Sequence, residues 1–138
     1  MSSIHASAAP RPVGLYPHAK RVGNLLFLSG IGPRSPSDNQ IPGNELGADG
    51  SLLKYDIEAQ CHAVFANVRA VLEAAGAAWL DLVDVTVYLT NMTEDFPVYN
   101  RIWAQYFAVD PPCRTTLGIT KLPTQIAIEL KCVAVLHT

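Results

Sequence analysis

A site that works without a bound cofactor needs a cation to hold an acid, a carboxylate to carry a proton, and strand-end backbone close enough to orient a ligand. In this chain the cation is Arg114. It follows Pro111-Pro112-Cys113, where the proline pair fixes the approach of the chain and a planar guanidinium can grip a carboxylate at two points. Taken alone it serves a structural salt bridge equally well. The carboxylate is Glu129, the one acid between Ile126 and Leu136. It is either paired to Lys131 or Arg114 or poised as a proton carrier. Ser29-Gly30 closes the run Leu25-Leu26-Phe27-Leu28, and a glycine there makes an ordinary turn or lets backbone approach a ligand closely. Tyr16, Asn100 and Trp103 are suited to lining a pocket or to packing. His18 carries the side chain type that changes charge near neutrality; with no carboxylate beside it in sequence, it reads as exposed or simply hydrogen-bonded.

These residues must be positioned by regular elements. Ile57, Cys61, Val64, Val68, Val71 and Ala75 form one apolar helical stripe, with Asp56 as N-cap and Gly76 as C-cap. A second helix is expected after Asp95, with Pro97 in its first turn and Val98, Ile102, Trp103, Tyr106 and Phe107 as its buried face; Pro111-Pro112 forbids its continuation. Strands are expected after the Gly23-Asn24 turn, over Val85 to Leu89, and over Ile126 to Leu136. In the last of these, Ile126, Ile128, Leu130, Cys132, Ala134 and Leu136 share one face and Ala127, Glu129, Lys131, Val133 and Val135 the other. The stretch from Gly30 to Lys54 reads as a long surface loop with a short strand near Ser51 to Leu53. The order β-β-α-β-α-β-β is an α+β layer, with two helices on one face of a mixed sheet. The second face keeps Val133 and Val135, so copies of the chain are expected to cover it.

Composition narrows the classes. The 138 residues make one domain, 1–138, and 49% of them are hydrophobic, enough for a real core. The net charge of −2, with no Lys/Arg run, argues against nucleic acid as a partner. Neither a signal peptide nor a membrane span is readable, which points to a cytoplasmic protein with no membrane partner. Cys61, Cys113 and Cys132 offer neither a disulfide framework nor a zinc site; Cys61 and Cys132 read as small buried hydrophobes, and the four histidines complete no metal cluster.

Several segments together resemble the Rid (RidA/YjgF) superfamily of reactive-intermediate deaminases. They are Gly23 to Gly30, Ala74-Ala75-Gly76 before Asp81-Leu82-Val83, Asp95-Phe96 through Asn100, Pro112-Cys113-Arg114-Thr115-Thr116, Leu122-Pro123 and Ile128-Glu129. The resemblance implies a chorismate-mutase-like fold, a homotrimer with active sites in the clefts between subunits, and no cofactor or metal. It implies that Arg114 binds a substrate carboxylate and that Glu129 positions or activates the attacking water. Tyr16, Gly30, Asn100 and Trp103 then line the pocket, with Ser29 beside them. Two places depart from the generic pattern: Pro17-His18, where Ser or Val and then Gln commonly stand, and Thr116, where Cys or Ser is common. Pro17-His18-Ala19-Lys20-Arg21, Gly32-Pro33-Arg34 and Tyr55 to Gln60 look like the 2-aminomuconate deaminase branch. That branch converts 2-aminomuconate to 4-oxalocrotonate and ammonia in aromatic catabolism. A dicarboxylate needs a second cation, for which Arg34, Lys20 or Arg21 is available. Other readings are a general 2-imino-acid deaminase, a non-catalytic ligand-binding trimer, and a ribonuclease, which the charge balance weakens.

Overall fold

The structure is a computed structural model that describes residues 1–137. Its strands and helices follow in the order β1 (Ser2–Ile4), β2 (Ala19–Val22), β3 (Leu25–Leu28), β4 (Glu45–Leu46), β5 (Leu52–Lys54), α1 (Ile57–Ala74), β6 (Leu82–Leu89), α2 (Met92–Tyr106), β7 (Cys113–Gly118) and β8 (Ile128–Val135). Six strands form one sheet in the order β1-β2-β3-β8-β6-β7, and β4 and β5 form a separate small hairpin. Among the described residues only β6 and β7 run parallel, as expected for two strands joined through a helix. The α+β class, with two helices on one face of a mixed sheet, is the one read from the sequence.

Local chemistry explains the elements that hold the site. Asp56 caps α1 by accepting from the Ala59 N–H at 3.1 Å. At the other end Gly76, with φ +80°, donates to the Glu73 carbonyl while the Ala77 N–H reaches Leu72. That paired closure needs the left-handed conformation a glycine adopts freely. Cys61, Val64, Val68 and Val71 are fully buried on the predicted stripe. They pack under β8, where Ile128, Leu130, Cys132 and Ala134 alternate with half-buried Glu129, Lys131, Val133 and Val135.

Two expectations are corrected, and one strand is new. Helix α2 begins at Met92, not after Asp95: the Asn91 side chain accepts from the Glu94 N–H at 3.2 Å and caps it four residues early. Pro97 therefore stands inside the helix, where its missing N–H leaves the Thr93 carbonyl without its helical donor. Asp95 is buried and accepts from the Tyr55 hydroxyl at 2.7 Å, a tie between the long loop and α2. The last strand is shorter than Ile126 to Leu136, because the Ala127 N–H leaves the ladder to donate to Gln60 Oε1 at 2.8 Å. The first strand, β1, was not foreseen. Among the described residues no helix is long and apolar enough to cross a membrane.

Candidate active site

The sheet register assigns the two charged candidates to opposite faces. Arg114 pairs with Val85, which pairs with Cys132. Both neighbours are fully buried beneath the helices, so Arg114 projects to the helix face, since paired residues point the same way. Glu129 pairs with Tyr88, which pairs with Leu117; these lie on the other face. Arg114 is also two strands and three residues away from Glu129, on the order of 14 Å between backbones at normal strand spacings.

On the helix face, Arg114 Nη1 donates to Asn100 Oδ1 at 2.9 Å. Its guanidinium lies 5.0 Å from the Trp103 ring centroid, 5.1 Å from Tyr99 and 5.9 Å from Phe96. The rings stabilise the cation through their faces and leave most of its donors free. The hydroxyls of Tyr99 and Thr116 share a hydrogen bond of 2.8 Å, which locks the central ring of this cradle. Burial pushes the Tyr99 phenol above its usual pKa, keeping it neutral. Arg114, Asn100, Trp103 and Thr116 thus form one cluster, completed by Tyr99 and Phe96, which sequence reasoning did not single out.

The second cluster lines a cleft of about 620 Å³, counting its open mouth, between residues 9–18, the segment after β3 and the start of β8. Tyr16, Ser29, Gly30, Arg34 and Glu129 all line it. Glu129 forms no ion pair among the described residues; the nearby Lys131 ammonium donates to the Leu28 carbonyl instead. Burial alone raises the Glu129 carboxyl above its usual pKa. A Cβ built on Gly30 would stand 2.8 Å from Glu129 Oε2, so glycine is what lets the backbone lie against the carboxylate. The Ser29 hydroxyl donates to the Pro17 carbonyl at 2.7 Å and fastens the wall rather than pointing at a ligand.

Arg34 donates to Asn39 Oδ1 at 3.0 Å and to the Arg11 carbonyl, both neutral, and has no carboxylate partner among the described residues. Its backbone is set by Asn67 on α1, whose amide donates to the carbonyls of Gly32 (2.9 Å) and Arg34 (2.8 Å). Asn67 is buried. A polar residue inside an otherwise apolar helical stretch was the signal that could have found it. Lys20 and Arg21 do not line the cleft. His18 does, and it is 9% exposed with both ring nitrogens bonded, so the exposed alternative is excluded. Cys61 and Cys132 are buried, their thiols pushed up to about 12 chiefly by burial. No group of three or more potential metal ligands occurs among the described residues.

The fold and the site define an α+β chain that carries a cradled guanidinium on one face of its sheet and an unpaired carboxylate on the other. The family model described as Endoribonuclease L-PSP matches residues 6–136. A RutC family protein from Pyrococcus horikoshii is 36% identical over 131 residues, 95% of this chain and 94% of that one. The 2-iminobutanoate/2-iminopropanoate deaminase of Dermatophagoides farinae is 31% identical over 135 residues, 97% and 95% of the two chains. The crystal structure of Escherichia coli TdcF with bound serine aligns with a TM-score of 0.86 at 26% identity, covering 99% of this chain and 100% of that one. The chain belongs to the Endoribonuclease L-PSP (YjgF/Rid) family, which includes reactive-intermediate deaminases.

Proposed function

We propose that the protein is a deaminase that hydrolyses the C=N bond of a 2-imino acid, and that each active site combines Arg114 of one copy with Glu129 of another. The observation that carries this reading is that both groups lack an ion-pair partner among the described residues while facing opposite sides of the sheet. In a 2-imino acid the carboxylate carbon is bonded directly to the electrophilic C2. A cation gripping that carboxylate and a carboxylate holding water over C2 must therefore come within a few ångströms of each other, which one chain does not allow. The outer face also leaves Leu25, Phe27 and Leu117 38–44% exposed beside half-buried Val133 and Val135. Covering that apolar face with further copies, three as the family resemblance implies, supplies the missing juxtaposition.

The chemistry follows from these groups. The Arg114 guanidinium, oriented by Asn100, binds the substrate carboxylate at two points. An enamine substrate first tautomerises to the imine, which makes C2 electrophilic. Glu129 accepts a proton from water as its oxygen bonds to C2, giving a carbinolamine. Glu129 then passes the proton to nitrogen, the C–N bond breaks as ammonia leaves, and the hydroxyl proton returns to Glu129 as the C=O of the 2-oxo acid forms. Holding the water in line contributes much of the rate through orientation.

The finer reading is a dicarboxylic substrate such as 2-aminomuconate, supported by Arg34, a cleft-lining cation held only by neutral acceptors. A second reading, small monocarboxylic imino acids, is favoured by the name of the mite relative. Ammonia release from 2-aminomuconate and from 2-iminopropanoate tests both. Turnover of the first at least about tenfold more efficient supports the finer reading, the reverse supports the second, and an intact oligomer inert to both overturns the deaminase proposal.

A further inference from the structure

We propose that His18 is a positioning residue that staples the cleft wall only while its ring is neutral, so that protonation of the ring loosens the site. The ring sits on a fixed base. The His18 N–H donates to the Ile4 carbonyl at 3.1 Å and its own carbonyl accepts from Ser29 N–H at 2.9 Å, which ties it to β1 and to the end of β3. From that base Nδ1 accepts the Ala6 N–H at 2.9 Å, and Nε2 lies 2.7 Å from the Pro10 carbonyl. A backbone N–H only donates and a carbonyl only accepts. The pair of neighbours therefore admits a single neutral tautomer, with the proton on Nε2.

Ala6 and Ala9 are buried in the core, but the held segment has few other hydrogen bonds to fix its backbone. Between Ala6 and Pro10 the backbone makes one bond of its own, Ala9 N–H to the Ala6 carbonyl at 3.3 Å. Pro10, Pro12 and Pro17 have no N–H to contribute. Yet Ala9, Pro10 and Pro12 line the same cleft as Glu129. Arg34, through the Arg11 carbonyl, is the other clasp on this segment. Adding a proton at Nδ1 would set an N–H against the Ala6 N–H at hydrogen-bond distance. The Ala6 bond then breaks and a charge is left in a site that is almost closed to water.

The ionisable groups lining the two cavities that His18 borders are Arg34 and Glu129 in the cleft, His5 and Arg11 in the shallower cavity behind it, and Tyr16 in both. The ring nitrogens themselves bond to backbone groups, not to any of these.

The inference rests on the deaminase reading only for its kinetic consequence, so the test has one arm that needs no substrate. Amide hydrogen exchange of Ala6, expressed as protection over the intrinsic rate, is measured on the full chain from pH 8 to pH 5.5, an interval in which imidazoles as a class change charge. In the wild type, protection of Ala6 falls by about tenfold, the scale of breaking one hydrogen bond. His18→Gln presents an amide oxygen to Ala6 and an amide N–H to Pro10 without a titrating group, so its protection stays flat. In parallel, KM for the imino acid rises several-fold on acidification in the wild type and stays level in His18→Gln. Any change in kcat from Glu129 is common to both proteins. If His18→Gln does not fold, the ring nitrogen shifts of wild-type His18 and the amide shift of Ala6 decide. A shared titration supports the staple, and an Ala6 amide indifferent to the ring overturns it. Equal loss of Ala6 protection in both proteins also overturns it. Intact exchange behaviour in a protein without deaminase activity would instead remove the proposed function and leave the staple standing.

Discussion

Replacing Glu129 with glutamine separates two roles that a half-buried carboxylate can have. Burial raises its pKa in the folded chain, and no cation among the described residues pairs with it to lower it again. The native state thus holds this proton more tightly than the unfolded chain does. The stabilisation that follows is complete below the ordinary glutamate pKa of about 4.3, and it is lost as pH rises through the raised native value. At neutral pH the charged carboxylate is a net cost to folding. Glu129→Gln, which keeps the shape and removes the charge, should therefore melt at or above the wild-type temperature at pH 7.5, with the gap closing towards pH 4. Turnover should fall by about 10²–10⁴, the usual contribution of a general acid–base group, or about 3–5 kcal/mol in activation free energy. Calorimetry at the two pH values and ammonia release per folded oligomer read the two effects separately. If the carboxylate instead neutralises a buried cation across an interface, the amide leaves that cation unpaired at a cost of about 3–5 kcal/mol. A variant that melts well below wild type at pH 7.5 with unchanged turnover per folded oligomer would refute the catalytic role.

Arg114→Lys should fold normally and lose about 2–4 kcal/mol of transition-state stabilisation, because a compact ammonium cannot reproduce a two-point grip; kcat/KM and melting temperature check it together. Arg34→Ala should raise KM for a dicarboxylic substrate by about tenfold or more, the scale of removing one hydrogen bond to a charged group. It should leave a monocarboxylic imino acid within about twofold, and parallel KM measurements on the two substrates decide. Asn67→Ala strands the carbonyls of Gly32 and Arg34; a loss of about 2–4 kcal/mol in unfolding free energy is expected by denaturant titration.

Much of the scaffold was legible because its causes are local. The stripe of α1 with its Asp56 and Gly76 ends, the Gly23-Asn24 turn and the alternation of β8 each depend on residues within a few positions of one another. Helix α2 was misplaced at its start because Asn91 and Asp95 are both good caps four residues apart, and the preference for proline in a first turn favoured the wrong one. The three-residue edge strand β1 carries too little pattern to be seen. At the site, Arg114 and Glu129 stood out by type, and the face of Glu129 followed from alternation. Their separation to opposite faces was hidden, because it depends on β8 and β7 both flanking β6. Asn67 was hidden for a similar reason: it bonds carbonyls 33 and 35 residues away in sequence. The pairing of Tyr55 with Asp95 spans 40 residues, and no periodicity foretells such a link.

The claim that each site is shared between copies is tested most directly by mixing two inactive variants. Arg114→Ala chains keep Glu129, and Glu129→Gln chains keep Arg114. After unfolding and refolding together in equal amounts, random assembly gives about a quarter of the interfaces an intact Arg114 facing an intact Glu129. Ammonia release should then recover to about a quarter of the wild-type rate, while each variant refolded alone stays inactive. A mixture that forms hybrid oligomers and remains as inactive as its parents would contradict the shared site.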